Sequence, residues 1–213
     1  MKNELNIINR DGVFDYIEKN KPNIIIHAAA LTGVSPCEND KELAWNTNVK
    51  GTENLVDACI EHNPNVYFIY VSTACVFYGN RGMYSEDDIP NPKNFYAKTK
   101  LIGEFVSKKL REYLIIRTNF VAKEKWMYPK AFIDRFGTYL FADGVAKGIK
   151  EVENNKLKGI VHIVGNKKIS MFELAKITTN DIQPLTLNEY SGPPLTIDMS
   201  LDTKRWKKYK ISE

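Results

Sequence analysis

Four short apolar runs recur along the chain, and each is separated from the next by a stretch with helical spacing. The runs are "IIIHAAA" (24–30), "VYFIYV" (66–71), "YLIIRT" (113–118) and "GIVHIVG" (159–165). Apolar runs of this length are typical of strands that are buried on both faces of a parallel sheet. Their alternation with helical stretches predicts a doubly wound α/β fold, in which ligands bind at the carboxyl ends of the strands.

The intervening stretches carry helix signals. A helix is predicted for 13–23, ending at Pro22, and a long helix for 39–64, with an irregularity at Gly51. Further helices are predicted after 94 and within 141–155, and Ser170 with Glu173 forms a capping-box pattern. After about residue 120 the alternation of helical stretches and apolar runs becomes less regular. We therefore expect one domain over 1–120 and a mixed C-terminal lobe over 121–213, interleaved with a late sheet strand near 160–165.

Composition excludes several classes of protein. The 213 residues carry a net charge of +4, much of it in the tail "KRWKKYK" (204–210), which is more typical of a solvated segment than of a nucleic-acid site. The apolar runs are too short to cross a bilayer, and the polar start (1–12) is not typical of a signal peptide. Three cysteines without C-x-x-C spacing indicate neither a disulfide framework nor a metal site, and favour a reduced, cytoplasmic setting.

Tyr96 and Lys100 form a Y-x-x-x-K pair at the start of a predicted helix. The spacing places both side chains on one helix face, where an ammonium group stabilises a phenolate and lowers the tyrosine pKa from about 10. A hydroxyl from Thr73, at a predicted strand end, can hold a substrate oxygen. Together these groups are suited to acid–base catalysis of carbonyl–alcohol interconversion.

The spacing of this pair is weak as a signal, because residue frequencies alone produce about one such pair in this chain. Its position at a helix start, downstream of a Ser–Thr strand end, gives it weight. Two structural alternatives stay open. Ser72 and Thr73 can satisfy backbone groups at a strand end, and Tyr96 can be an ordinary aromatic residue at a helix start.

Several ordered motifs resemble the extended short-chain dehydrogenase/reductase family, and within it the dTDP-4-dehydrorhamnose reductase branch. They are "IIIHAAALTGV", "NTNVKGTENLV", "YVSTACVF", "YSEDD" and "NFYAKTKLIGE". The resemblance implies a Rossmann-like sheet and a nicotinamide cofactor, NADP or NAD. Tyr96 would be the general acid, Lys100 would bind the nicotinamide ribose, and Thr73 would be the catalytic hydroxyl.

The same resemblance assigns further residues. Ala28, Ala29 and Ala30 would line the adenine–ribose side of the cofactor, and Ser72, Tyr96 and Lys100 would also bind the cofactor. Asn48 matches the family's N-V-x-G-T motif, where it supports the site geometry. The substrate-binding residues would be Thr73, Ala74, Cys75 and Thr138.

The chain also departs from the family pattern. None of its twelve glycines lies in a G-x-G-x-x-G or G-x-x-G-x-x-G order, so the resemblance implies an N-terminally truncated fold without the phosphate-binding βαβ unit. The run at 24–30 would then be an open sheet edge that invites pairing. Ala74, Cys75 and Tyr78 replace two acids and a tyrosine that are usual in the family, which weakens the expected sugar recognition.

These observations leave several functions open. The leading one is NAD(P)H-dependent reduction of a 4-keto nucleotide sugar, with the activity of this chain alone in doubt. The alternatives are a non-catalytic regulatory or binding subunit, a nucleotide-sugar epimerase, or a truncated product. The expected partners are a nucleotide sugar and, at the open edge, a second copy or another chain; neither a nucleic acid nor a membrane is expected.

Overall fold

The computed structural model describes residues 5–211; residues 1–4 of the polar start, and residues 212–213, lie outside the described residues. The α-helices are α1 (Arg10–Asn20), α2 (Val34–Asn39), α3 (Lys41–Trp45), α4 (Gly51–His62), α5 (Phe95–Ser107), α6 (Ala142–Asn154) and α7 (Met171–Lys176). The strands are β1 (Ile24–His27), β2 (Tyr67–Val71), β3 (Tyr113–Thr118), β4 (Phe120–Val121), β5 (Lys130–Phe132), β6 (Phe136–Gly137), β7 (Leu140–Phe141), β8 (Gly159–Ile163), β9 (Ile169–Ser170), β10 (Gln183–Leu185) and β11 (Asp198–Met199).

The described chain divides into two compact units that interleave along the sequence. Unit 1 contains residues 5–72, 94–116 and 158–160, and unit 2 contains 73–93, 117–157 and 161–211. These units show which residues pack together. They do not test the boundary between functional domains that we expect at residue 120, so that boundary stays a prediction.

Unit 1 is built on the predicted parallel sheet. Its strands follow the order β1-β2-β3-β8, and β2 runs parallel to both β1 and β3. One face is covered by α1, α4 and α5, whose apolar side chains pack with those of the strands. The core residues are Val13, Ile17, Leu55, Val56, Ala58, Cys59, Val66, Phe68, Tyr70, Val106, Leu110 and Ile115. The α/β fold with a parallel sheet is confirmed.

Strand β1 lies at the edge of this sheet among the described residues. Ile25 packs against the core and His27 is buried, whereas Ile24 and Ile26 point to the opposite face and are 37% and 50% exposed. The expectation that this run is buried on both faces is therefore wrong for these two isoleucines. No described strand pairs with the outer side of β1.

The long helix predicted for 39–64 is divided in the structure. Helices α3 and α4 are joined by a π-helical turn, Asn46–Lys50, in which the N–H of Gly51 reaches back to the carbonyl of Asn46. The irregularity predicted at Gly51 thus falls at the end of this turn. Single π turns inside helices often occur at functional sites, because they displace one side chain from the regular spacing.

Unit 2 holds short sheets and the C-terminal segment. Strands pair as β4 with β7, β5 with β10, and β11-β6-β9. The predicted capping box at the start of α7 is confirmed, since Ser170 and Glu173 exchange both hydrogen bonds. Among the described residues, no helix is both long enough and apolar enough to cross a membrane.

The basic tail lies in unit 2 and is paired with acids there. Lys204 and Arg205 contact Asp87, and Lys207 contacts Glu151. These cations are already matched by nearby carboxylates, so the tail does not form an unpaired basic face of the kind that binds nucleic-acid phosphates.

Candidate functional site

The start of α5 places Tyr96 and Lys100 one helical turn apart, as the sequence predicted. Asn94 is the N-cap, and its side-chain oxygen accepts a hydrogen bond from the Ala97 N–H at 2.9 Å. A second acceptor, Glu38 Oε1, takes the N–H of Phe95 at 2.7 Å. Because two side chains satisfy the free N–H groups of the first turn, the helix start is well defined.

Lys100 is an almost completely buried cation. Its side chain is 3% exposed, and Nζ lies 4.1 Å from the centre of the Tyr70 ring. Burial lowers the pKa of Lys100 from 10.5 to about 7, and the charge of Glu104 acts in the opposite direction. A lysine that is poised near neutrality and packed on an aromatic face is unusual outside functional sites.

Beside Lys100 lies a second buried ionisable group, Glu104, one further turn along α5. The hydroxyl of Ser72 donates a hydrogen bond of 2.6 Å to Glu104 Oε1. The backbone N–H of Ser72 also bonds to the carbonyl of Ile116, which extends the pairing of β2 with β3 by one residue. Ser72 thus links the end of β2 to α5.

Tyr70 brings α5 close to β2. A Cβ atom at Gly103 would overlap the phenol oxygen of Tyr70 and lie 2.7 Å from its Cζ, so only glycine permits this approach. The hydroxyl of Tyr70 donates to the carbonyl of Lys100 at 3.4 Å. Burial, together with the charge of Glu104, raises the pKa of Tyr70, which keeps this phenol protonated.

Asn48, from the π-helical turn, holds the loop that follows β1. Its amide accepts from the N–H of Leu31 at 2.7 Å and donates to the carbonyl of Leu31 at 3.0 Å. The same amide nitrogen donates to Thr99 Oγ1 at 3.0 Å, and Thr99 donates to the carbonyl of Tyr96 at 2.8 Å. The loop after β1 is therefore tied to the first turn of α5, and the supporting role of Asn48 in the site stays a prediction.

His27, at the carboxyl end of β1, is buried and neutral. Its Nε2 lies 2.9 Å from Thr52 Oγ1, which donates to the carbonyl of Asn48 at 2.7 Å. Because that hydroxyl proton is directed to Asn48, Nε2 of His27 carries the proton that Thr52 accepts. Burial and the positive charge of Lys100 lower the pKa of His27 from 6.5 to about 3.

The other predicted site residues are distributed between the two units. In unit 1, Ala28 and Ala29 follow β1 and are exposed, and Ala30 is half-buried. In unit 2, Thr73 caps a 3₁₀ turn, Ala74–Val76, by accepting from the N–H of Cys75 at 3.1 Å. Thr73 therefore satisfies a backbone N–H at the strand end, as in the structural alternative given for it above. In this contact its hydroxyl oxygen accepts, so the hydroxyl proton is not used. The catalytic and binding roles of these residues stay predictions.

Two of the predicted substrate-binding residues, both in unit 2, have internal partners. The hydroxyl of Thr138 is buried and pairs with both the N–H and the carbonyl of Leu201, at 3.0 and 3.1 Å. Cys75 is buried with its Sγ atom 3.3 Å from Sδ of Met199. The neighbouring Ala74 is fully buried.

Sequence reasoning did not single out Glu104 and Tyr70. Glu104 carries a usable signal, because it is a lone acid inside the apolar stretch "LIGEFV" and follows Lys100 by one helical turn. Tyr70 carries no comparable signal, since a tyrosine within "VYFIYV" reads only as a strand residue.

The residues of unit 1 fit one end of the nicotinamide dinucleotide that the resemblance implies. Tyr96 and Lys100 would provide a phenol and a cation for a ribose, and Ala28 and Ala29, just after the end of β1, are small and exposed. Within residues 5–211 we find no glycine-rich strand-to-helix turn for the phosphates. The first described helix, α1, is capped by its own Asn9 side chain.

Comparisons with known proteins place this chain in a family. Residues 1–137 match the family described as RmlD substrate binding domain. A dTDP-4-dehydrorhamnose reductase from Aggregatibacter actinomycetemcomitans is 40% identical over an alignment of 197 residues, and the match includes 81% of this chain. The methionine adenosyltransferase 2 subunit beta of Xenopus laevis is 28% identical over 98% of this chain and 71% of its own length.

A solved structure also resembles this chain. The dTDP-4-dehydrorhamnose reductase of Bacillus anthracis, in complex with NADP, superposes with a TM-score of 0.85 and 25% identity, covering 94% of this chain and 79% of the other.

The extent of the match matters for function. The chain spans 65% of the length of the Aggregatibacter reductase, so the relatives contain polypeptide that has no counterpart among these residues. The family match, in contrast, covers more than half of this chain. The chain therefore belongs to the RmlD substrate binding domain family of extended short-chain dehydrogenases/reductases.

Proposed function

We propose that this chain carries the proton-transfer site of a reductase for 4-keto nucleotide sugars, of the dTDP-4-dehydrorhamnose reductase type. The observation that carries the proposal is Lys100, a buried lysine with a pKa of about 7, one helical turn after Tyr96. A desolvated ammonium beside a tyrosine favours the phenolate, which makes Tyr96 an effective proton donor at neutral pH.

The chemistry assigned to the chain is protonation of a carbonyl oxygen. As the carbonyl carbon gains a hydride, its oxygen takes the hydroxyl proton of Tyr96, and an alcohol is formed. When bound, NADPH or NADH supplies that hydride. The charge of Lys100 stabilises the tyrosinate left behind, and Lys100 would also hold the ribose next to the nicotinamide.

The remaining predicted roles belong to the same proposal. Thr73 would hydrogen-bond the substrate oxygen through its hydroxyl. Ala28, Ala29, Ala30 and Ser72 would lie along the cofactor, and Ala74, Cys75 and Thr138 along the sugar. The three buried free thiols in the described chain are consistent with the reducing, cytoplasmic compartment that we predict.

The test is a titration of the chain with NADPH and NADH, followed by an assay with dTDP-4-dehydrorhamnose. Lys100→Met should weaken cofactor binding about tenfold or more, the loss expected for a hydrogen bond to a charged group. Lys98→Met is the matched control, because Lys98 lies on the same helix turn but is exposed. Equal binding by both variants, or loss of binding in both, would contradict the role of Lys100.

A second candidate is a non-catalytic regulatory subunit. The similarity to methionine adenosyltransferase 2 subunit beta, over 98% of this chain, favours it. It predicts that the chain co-sediments with a methionine adenosyltransferase catalytic subunit and does not turn over the sugar substrate. Epimerisation of the same substrate class is a third candidate, and it would interconvert sugars without consuming NADPH.

The open edge of β1 suggests how the chain associates. Its outer backbone groups have no strand partner among the described residues, and Ile24 and Ile26 are exposed beside them. We propose that a further strand pairs there, from a second copy or from a partner chain. Sedimentation of the wild-type chain should show concentration-dependent association that Ile26→Lys reduces. A wild-type chain that stays monomeric at all concentrations would rule out pairing between copies.

A further inference from the structure

Glu104, on α5, is the most deeply buried acid among the described residues, and nothing in the proton-transfer chemistry described above requires it. Its side chain is 1% exposed. A buried carboxylate is costly unless hydrogen bonds and opposite charge compensate it. The Ser72 hydroxyl provides one such hydrogen bond, at 2.6 Å, from the end of β2.

The groups that face Lys100 come from three elements of unit 1. His27 belongs to β1 and Tyr70 to β2, while Tyr96 and Glu104 lie one helical turn before and after Lys100 on α5 itself. His27 is neutral because its pKa is about 3, and the pKa of Tyr70 is raised, so neither contributes negative charge near neutrality. The interaction that favours the charged form of Lys100 comes from Glu104.

We propose that Glu104 is a positioning residue: its buried carboxylate, held by the Ser72 hydroxyl, fixes the Lys100 ammonium beside Tyr70 and stabilises its positive charge. The inference rests on the proposed function for its purpose, since a charged lysine is what favours the tyrosinate of Tyr96. The electrostatic link between Glu104 and Lys100 is independent of any ligand, however, and is tested without one.

The experiment measures the free energy of unfolding of the full chain against pH. Lys100 titrates at about 7 when folded and near 10.5 when unfolded, so the unfolded state binds more protons between these values. Stability should therefore rise as the pH increases from about 7 towards 10.5. The Lys100→Met variant lacks this rise, and its difference from the wild type isolates the lysine from all other titrating groups.

In the Glu104→Gln variant the side chain keeps its shape and can still bond Ser72, but the charge is lost. The increase in the free energy of unfolding that Lys100 causes should then begin at least about one pH unit lower, which is the shift expected on removal of a close opposite charge. The double variant Lys100→Met/Glu104→Gln should show no such shift. A Glu104→Gln profile that is parallel to the wild type at every pH would mean that Glu104 only fills space, and would overturn the proposal.

Two further measurements keep the test decisive. If Glu104→Gln does not fold, Ser72→Ala releases the carboxylate from its donor and should move the same rise in the same direction by a smaller amount. Failure of NADPH binding in the earlier titration would contradict the reductase proposal but would leave this pH shift unchanged. An unchanged pH profile with intact cofactor binding would contradict only the role of Glu104.

Discussion

Strands β1 and β2 are neighbours with similar sequences and opposite surroundings. Their residues pair in register, Ile24 with Tyr67, Ile25 with Phe68, Ile26 with Ile69 and His27 with Tyr70. Both runs are apolar enough to predict full burial. Strand β2 is buried along its whole length, whereas in β1 only His27 is buried and Ile25 is half-buried against the core.

The difference shows that an apolar sequence makes a strand suitable for burial. Whether the strand is buried depends on the elements that pack around it. A strand of a parallel sheet usually has cover on both faces and a neighbour on each side. Strand β2 has both, since β1 and β3 flank it. In the described chain β1 has one neighbour and one covered face, so its isoleucines at positions 24 and 26 are left as an apolar surface.

The largest expected effect comes from truncating matched isoleucines in the two strands. Ile69→Ala should lower the free energy of unfolding by about 2–5 kcal/mol, because the side chain is completely buried and leaves a cavity. Its register partner Ile26 is 50% exposed, so Ile26→Ala should cost less than about 1 kcal/mol. Urea denaturation of both variants measures the difference. Similar losses would mean that the outer face of β1 is covered in solution.

A smaller effect is expected where α5 packs on β2. In Gly103→Ala the new Cβ atom collides with the ring of Tyr70, and overpacking of this kind costs about 1–3 kcal/mol. Alanine regains about 1 kcal/mol of helix propensity, so the net loss should lie between about 0 and 2 kcal/mol.

The control for this collision is Tyr70→Phe, which removes the phenol oxygen that the Cβ atom would overlap. The double variant Gly103→Ala/Tyr70→Phe should therefore lose less stability than the sum of the two single variants. Simple additivity would show that α5 shifts away from β2 without strain.

The mildest effect concerns the buried histidine of β1 and depends on pH. The pKa of His27 is about 3 in the folded chain and 6.5 when unfolded, so the stability that it contributes is complete above pH 6.5 and is lost as the pH falls. The slope is about 1.4 kcal/mol per pH unit between these values. Thermal unfolding at pH 6.5 and pH 5.5 should show this decrease in the wild type and a smaller one in His27→Gln. Equal decreases would contradict a neutral, buried His27.

Local patterns were sufficient for much of the fold. The four apolar runs became the four strands of the principal sheet, and Ser170 with Glu173 formed the predicted capping box. Such features depend on residues close together in the sequence. The irregularity predicted at Gly51 was placed only approximately, because glycine marks a weak point in a helix without specifying the π-helical turn that precedes it.

The candidate site was only partly predictable. Tyr96 and Lys100 were found from their spacing and helix position. The partners that give Lys100 its properties could not be found in this way, since Tyr70 is 30 residues from Lys100 and Ser72 is 32 residues from Glu104. The same holds for Asn48, whose contact with Thr99 spans 51 residues.

The sequence by itself determined the alternation of strands and helices, the family and the Tyr96–Lys100 spacing on α5, because these follow from periodicity and from motifs read along one segment. Tertiary structure alone decided that Lys100 is buried against Tyr70, that Ser72 bonds the buried Glu104, and that one face of β1 is open. Burial and electrostatic contact depend on which segments meet in space. The pKa of a lysine and the exposure of an isoleucine are therefore properties of the packed chain.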